Sequence, residues 1–304
     1  MAAATRAALR LATRGSAQAT AQARSVAEAV EAASGRAVEL VLVETTGDSR
    51  QDVPLHTIGG QGVFVKEVQR AVLDGRADLA VHSAKDLPST PERGLIIAAF
   101  TARRSPQDAL VGSTLTGLAQ GATVATGSVR RRAQLRAARP DLRFVELRGN
   151  IGTRLSKVPA GGAIVMAVAA LEILDRAEVI AEQLALDEFV PAVGQGCVAV
   201  ECRDVDDEVI EVLAGVDDPA TRRAVEIERA FLAELGSGCS LPVGAHVDGD
   251  VLHTFLADES TAGVGADRSR VVRERHRLVG GGVADARNLE LARQAAATAR
   301  HALR

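Results

Sequence analysis

A strand-to-helix alternation that runs near the N-terminus and starts again mid-chain restricts this sequence to an α/β architecture. Leu9 to Thr13 reads as a strand turning at Arg14-Gly15-Ser16 into an alanine-rich helix, which reaches about Ala33 and closes at Ser34-Gly35. Val38 to Val43 is a second strand, and a helix from about Val63 to Leu73 puts Phe64, Val65, Val68 and Val72 on one face. A short apolar strand, Asp78 to Val81, follows the turn pair Asp74-Gly75. The pattern restarts with a strand at Ala122–Thr126, a helix at Ser128–Ala138, a strand at Phe144–Leu147, a helix start at Gly149–Ser156 and a strand at Ala163–Ala167.

Each run implies a mainly parallel sheet covered by helices on both sides, so two lobes with a cleft between them are expected. Pro191 to Glu201 is expected to lead back from the second lobe, followed by a helix near Asp206–Ala214. The remainder differs: a long helix at Pro219–Leu235, strands near Val243–Val247, Val251–Ala257 and Arg270–Arg277, and a helix at Asp285–Ala302. That is a small α+β third domain. A length of 304 residues suits two or three domains of roughly 100–200 residues each.

Hydrophobic residues make up 47%, with six Phe and neither Trp nor Tyr, so the cores must be built from Ala, Val, Leu and Ile. No apolar run reaches the ~18 residues of a membrane span. Residues 1–9 carry Arg6 but neither a long apolar stretch nor a cleavage signal, so export is not expected. Three cysteines, an odd number, argue against a disulfide framework and for a reducing cytoplasm. The net charge of −3 conceals nine Lys/Arg against Asp141 and Glu146 between Thr126 and Lys157. A local basic field in an otherwise acidic chain points to a specific anionic ligand rather than bulk nucleic acid.

The chemistry concentrates where strands end, the edge at which open α/β sheets bind ligands. After Val81 come His82, Ser83, Lys85 and Asp86. Lys85 offers a cation for a carboxylate, and Asp86 a carboxylate that can stabilise developing positive charge; an exposed ion pair in a loop is the plainer alternative. Arg14 and Ser16 sit at one strand-to-helix turn and Thr126, Ser128, Arg130 and Arg131 at another, where helix N-termini favour anions; a serine there can equally be only a cap. Arg148 and Arg154 flank the glycine-permitted turn at Gly149. A solvated basic helix accounts for Arg136, Arg139 and Arg143. Gly59-Gly60-Gln61-Gly62 lacks the ending of a phosphate loop. Cys197 and Cys202 have no neighbouring His and read as core thiols rather than metal ligands. Cys239 lies in the small-residue loop 236–242 just past a helix; for a lone cysteine the residues themselves assign no role.

Taken together, LRLATRGSAQATAQ, GGQGVFVKEVQRAVLDGRADLAVHSAKDLPST, VATGSVRRRAQLRAARPDLRFVELRGNIGTRLSKV, PAVGQGCVAVECR and ERAFLAELGSGCSLPVGAHV resemble the porphobilinogen deaminase (hydroxymethylbilane synthase) family, in its order, from near residue 9 to about 247. The resemblance implies two periplasmic-binding-protein-like (type II) lobes plus a small α+β C-terminal domain: residues 1–103 and 195–217, residues 104–194, and residues 218–304. It implies head-to-tail condensation of four porphobilinogen molecules into the linear tetrapyrrole hydroxymethylbilane with release of ammonia. Growth would occur on a dipyrromethane cofactor joined by a thioether to the position of Cys239, with no metal. Asp86 matches the family's catalytic aspartate and Lys85 a cofactor-carboxylate ligand. Ser83, Thr126, Ser128, Arg130 and Arg131 match cofactor-binding positions; Arg14, Ser16, Phe64, Arg148, Arg154 and Gln195 match substrate-binding ones. The family also implies a cytoplasmic monomer whose product passes to a downstream tetrapyrrole-pathway enzyme, with no nucleic-acid or membrane partner.

The chain departs from the family pattern at Ala17-Gln18, where Pro-Leu is usual, at Gln61 for Lys, at Gly127 for Ser, at Gln107 for Arg, and at Ser105 for an acid. Two other readings use the same arginines: a two-lobed protein that only binds a small polyanion, and a relative that holds dipyrromethane without elongating it. The first would need neither Cys239 nor Asp86; Gln61 and Gly127 are the hints of the second.

Overall fold

The computed structural model describes residues 8–45, 65–236, 241–258, 270–280 and 285–303. In chain order the strands and helices of its first part are β1 (Leu9–Arg14), α1 (Ala17–Ser34), β2 (Val38–Val43), α2 (Lys66–Leu73), β3 (Leu79–Ser83), β4 (Leu95–Phe100), β5 (Asp108–Val111), β6 (Thr123–Ala125), α3 (Val129–Ala138) and β7 (Arg143–Val145). They continue with α4 (Ile151–Leu155), β8 (Ala163–Ala167), α5 (Val168–Glu172), β9 (Ile180–Gln183), β10 (Val198–Arg203), α6 (Asp207–Ala214), α7 (Pro219–Leu235), β11 (Val243–Asp248), β12 (Val251–Ala257), β13 (Val271–Arg277) and α8 (Ala286–Ala302). Most of the expected helices start and stop within a residue of their expected bounds, because polar caps announce them. Ser16, Ser128, Asn150, Asp206 and Asp285 each accept a backbone N–H of the first turn. Gly35 ends α1 in the left-handed region at φ 67°.

The chain divides into two compact units. Of the described residues, the first comprises those up to 45, those from 65 to Arg103 and Cys197–Arg222; the second comprises Arg104–Gly196 and those from Arg223 onward.

The first unit holds a five-stranded sheet ordered β2-β1-β3-β10-β4. β1 pairs in parallel with β2 and β3, whereas β10 runs antiparallel to both β3 and β4. On one face Leu9, Leu11, Val81 and Val200 pack with Val26 and Val30 of α1 and Val209 and Leu213 of α6. On the other, Ala12, Ala80 and Leu95 pack with Val68 and Val72 of α2. Each fully buried Val or Leu contributes about 1.5–3 kcal/mol relative to exposure, and alanines at Ala23 and Ala27 let α1 lie close to the strands.

The second unit repeats the plan as β7-β6-β8-β5-β9, with β6 parallel to β7 and β8 and with β5 antiparallel to β8 and β9. It also carries an antiparallel sheet β11-β12-β13. Val247, Leu252 and Leu278 close there on Ile227 and Phe231 of α7 and Ala292, Ala295 and Ala296 of α8.

Both five-stranded sheets are thus mixed rather than mainly parallel. The strands missing from the sequence reading are β4, β5 and β9. Two of them are only four residues long, too short for their period to declare itself. β10 is itself a sheet member and not merely the connection back. Among the described residues no helix is long and apolar enough to cross a membrane.

Candidate active site

In the first unit the apolar strand β3 gives way to polar residues at its C-terminal end. Ala84–Asp86 form one turn of 3₁₀ helix, anchored where the Ala84 N–H donates to the Cys197 carbonyl at 3.0 Å. Lys85 and Asp86 are half-buried on this turn. Among the described residues no ion pair or side-chain hydrogen bond engages the Asp86 carboxylate. Ser83 Oγ donates to Gln22 Oε1 of α1 at 3.1 Å. Gln22 is a contact the sequence did not reveal.

His82 turns the other way, into the interior. Its Nε2 lies 3.1 Å from Glu201 Oε2, both side chains being almost wholly buried, but out of line for a hydrogen bond. Gln69 Nε2 donates to both Glu201 oxygens, at 3.2 and 2.9 Å. The trio supports the polar end of β3 from beneath. Arg14 closes β1 half-buried, and Ser16 caps α1 by accepting the Ala19 N–H at 3.3 Å. A capping serine keeps its own O–H free to donate.

In the second unit the turn 126–128 mirrors this arrangement. Thr126 is buried; its N–H donates to Val145 O at 2.9 Å and its Oγ1 accepts the Ser128 N–H at 3.2 Å. Ser128 caps α3 through the Arg131 N–H. The first turn of α3 then buries three consecutive arginines. Arg130 Nη1 donates to Val190 O at 2.6 Å and Nη2 to Asp108 Oδ2 at 2.7 Å. Arg131 donates to Asp108 Oδ1 from Nε at 2.9 Å and Nη2 at 2.7 Å, and from Nη1 to Val165 O at 3.0 Å. Arg132 Nη2 donates to Thr126 O at 3.2 Å and pairs with Glu146 at 3.1 Å, bracing the turn.

Asp108, at the start of β5, is 1% exposed and also accepts from Gln195 Nε2 at 2.9 Å. Burial pushes its pKa upward, but the charges of Arg130 and Arg131, with hydrogen bonds from Arg131 and Gln195, outweigh that and hold the carboxyl well below the usual range. Burial lowers the pKa of Arg130, against the opposing pull of Asp108. The sequence reading missed Asp108. Its signal was an acid opening the apolar run Ala109–Val111.

Arg148 and Arg154 flank a turn that only glycine fits. Gly149 has φ 116°, and a Cβ there would lie 2.7 Å from Thr153 Cγ2. Arg154 Nε donates to Gly149 O at 2.7 Å, and both arginines are half-buried. Arg139 and Arg143 have structural work beyond solvation: Arg139 pairs with Asp141 at 2.8 Å, and Arg143 Nε donates to Gly121 O at 2.7 Å. Ser105 Oγ donates to Glu172 at 2.5 Å.

Glu228 of α7, like Asp108 and Glu201, is a buried acid with no signature of its own in the sequence. It is fully buried, accepts the N–H of Gly194 at 2.8 Å and of Val247 at 2.9 Å, and lies 3.3 Å from His246 Nδ1. Its position between Ala224, Ile227 and Phe231, on the apolar stripe of α7, was the available signal. Glu228 therefore ties α7 to β11, the two elements between which Cys239 falls in sequence. Cys239, Phe64 and Gln61 lie outside the described residues. Cys197 and Cys202 are buried. Among the described residues no group of His, Cys, Asp and Glu side chains is arranged to hold a metal ion.

Two family profiles match the chain: "Porphobilinogen deaminase, dipyromethane cofactor binding domain" over residues 9–211 and "Porphobilinogen deaminase, C-terminal domain" over residues 222–253. A porphobilinogen deaminase from Roseiflexus castenholzii is 51% identical over 224 residues, 72% of this chain and 74% of the relative. One from Acidothermus cellulolyticus is 51% identical, covering 70% and 67%, and one from Thermobifida fusca 45% identical, covering 81% and 78%. Among solved structures, a periplasmic substrate-binding protein of an ABC transporter from Coxiella burnetii aligns with 70% of this chain and 94% of its own at 14% identity and a TM-score of 0.43.

Proposed function

This chain belongs to the porphobilinogen deaminase family, and from that premise we infer that it is a transferase of tetrapyrrole biosynthesis that condenses four porphobilinogen molecules into hydroxymethylbilane. The observation that carries this reading is the match of the cofactor-binding-domain profile over residues 9–211, which spans every residue given a role here except Cys239.

The donor set suits the cofactor. A dipyrromethane carries acetate and propionate groups, and two buried guanidiniums sharing one carboxylate retain a positive charge for such an anion. When bound, the dipyrromethane supplies the pyrrole carbon on which the chain grows. Cys239 would hold it through a thioether, with Lys85, Ser83, Thr126, Ser128, Arg130 and Arg131 binding its polar groups. Arg14, Ser16, Phe64, Arg148, Arg154 and Gln195 would receive the carboxylates and polar edges of incoming substrate. Asp86, half-buried and without a competing cation among the described residues, would face the pyrrole N–H groups. As ammonia leaves porphobilinogen, positive charge develops on the substrate ring, and a fixed carboxylate stabilises it without reorganising. Lys85 beside it keeps a cofactor carboxylate in register.

The proposed domains are residues 1–103 with 195–217, residues 104–194 and residues 218–304, in a cytoplasmic monomer that hands its product to a downstream tetrapyrrole-pathway enzyme. The test is the intact mass of the protein beside its Cys239→Ser variant. An excess equal to two linked pyrrole units in the parent, absent from the variant, and a mass that climbs in single-substrate steps with porphobilinogen, is the expected result. A parent that stays unmodified after porphobilinogen is added overturns the reading and leaves a protein that only binds polyanions.

A further inference from the structure

Arg130 and Arg131 are 4% and 9% exposed, and neither is held by its own helix. Both guanidinium groups turn onto one carboxylate from β5, and Gln195 Nε2 joins them there while also donating to Pro106 O at 2.8 Å. The remaining partners of the two arginines are neutral carbonyls, Val190 O and Val165 O. Two positive charges against one negative leave one unit of charge in a buried place. Such an imbalance is costly unless an anion answers it. A guanidinium carries five N–H groups, so both side chains retain donors for that anion beyond those committed to the protein.

We propose that Asp108 is a positioning residue for carboxylate binding: it fixes the planes of the Arg130 and Arg131 guanidiniums and sets their joint charge so that the cluster accepts a single carboxylate. The proposal rests on the reading of Arg130 and Arg131 as cofactor ligands. Geometry divides the task between the two oxygens. Oδ1 takes Arg131 side-on together with Gln195, whereas Oδ2 takes Arg130 alone. An asparagine with its carbonyl oxygen in the Oδ1 position would keep Arg131 and Gln195 but set an N–H₂ against Arg130 Nη2, donor against donor. Asp108→Asn therefore releases Arg130 selectively. It also raises the charge of the cluster, so orientation and bulk charge predict opposite changes in anion affinity.

The experiment uses protein prepared without porphobilinogen and measures by intact mass the porphobilinogen concentration that loads half of it with cofactor. Asp108→Asn and Arg130→Met are each expected to raise that concentration at least tenfold, and the double variant to be no worse than Arg130→Met alone. Leu118→Ala, a core truncation elsewhere in the same unit, should lower thermal stability and leave the loading concentration unchanged, which separates positioning from loss of fold. Should Asp108→Asn fail to fold, the double variant restores a single net charge and is compared with Arg130→Met directly. An unchanged or lower loading concentration in Asp108→Asn, or additive effects in the double variant, overturns the proposal while leaving the deaminase reading intact. A parent that never gains mass overturns both.

Discussion

Glu146 fills the space that a side chain at Gly127 would need: a Cβ at position 127 would lie 2.7 Å from Glu146 Oε1 and 2.9 Å from Leu147 O. The departure from the serine usual in this family is therefore matched by local packing. Gly127→Ser should cost about 1–3 kcal/mol, the range for overpacking a filled site. Adding Glu146→Ala should recover part of the loss, since the backbone oxygen of Leu147 stays in place. Urea midpoints of Gly127→Ser, Glu146→Ala, the double variant and the parent check this; a neutral Gly127→Ser would contradict it.

Asp86→Asn removes a charge from a short turn without removing volume. Stability should stay within about 0.5 kcal/mol of the parent, because no described cation depends on that carboxylate. Turnover of porphobilinogen should fall about a hundredfold or more, the scale of losing a preorganised group that stabilises developing charge. Rates near those of the parent would remove Asp86 from the chemistry.

The depressed pKa of Asp108 makes an acid-sensitivity prediction. A carboxyl with a folded pKa below its unfolded value adds stability that is complete above about pH 4 and is lost as pH falls toward the folded value. The stability difference between the parent and Asp108→Asn should therefore narrow as pH is lowered from about 6 to about 2. Denaturant titrations at both pH values measure it. A constant difference would mean that the carboxyl titrates alike in both states.

Thiol counting gives an independent check of the attachment. Cys197 and Cys202 are buried, and burial, with Asp206 adding, pushes the Cys202 thiol up to about 11. At pH near 8 neither should react in the folded protein, since the thiolate is the nucleophile. In denaturant two of the three cysteines should titrate if Cys239 carries a thioether, and all three if it does not.

How far the fold was legible depended on what each stretch leaves visible in one dimension. α7 and α8 were placed within a residue because Pro219, Gly236 and Asp285 punctuate a long 3.6-residue period. β5 and β9, four residues each, present no period, and β10 gave no sign of its antiparallel insertion because strand order is a long-range property. Among candidate residues, Lys85, Asp86 and the arginines stood out because they cluster at strand and helix ends. Asp108, Glu201 and Glu228 did not, since a buried acid is indistinguishable in sequence from a surface one until its partners, tens of residues away, are known.

The place of β10 between β3 and β4 has a consequence for synthesis. β3 and β4 do not touch each other as neighbours; the strand that joins them is made only after about 100 further residues have left the ribosome. Every strand of the other five-stranded sheet, from Asp108 to Gln183, emerges inside that interval. The N-terminal sheet, though begun first, is therefore completed second. During the delay β3 and β4 each have an open edge, and a stall in translation anywhere between residues 101 and 197 would leave those edges unpaired on the nascent chain.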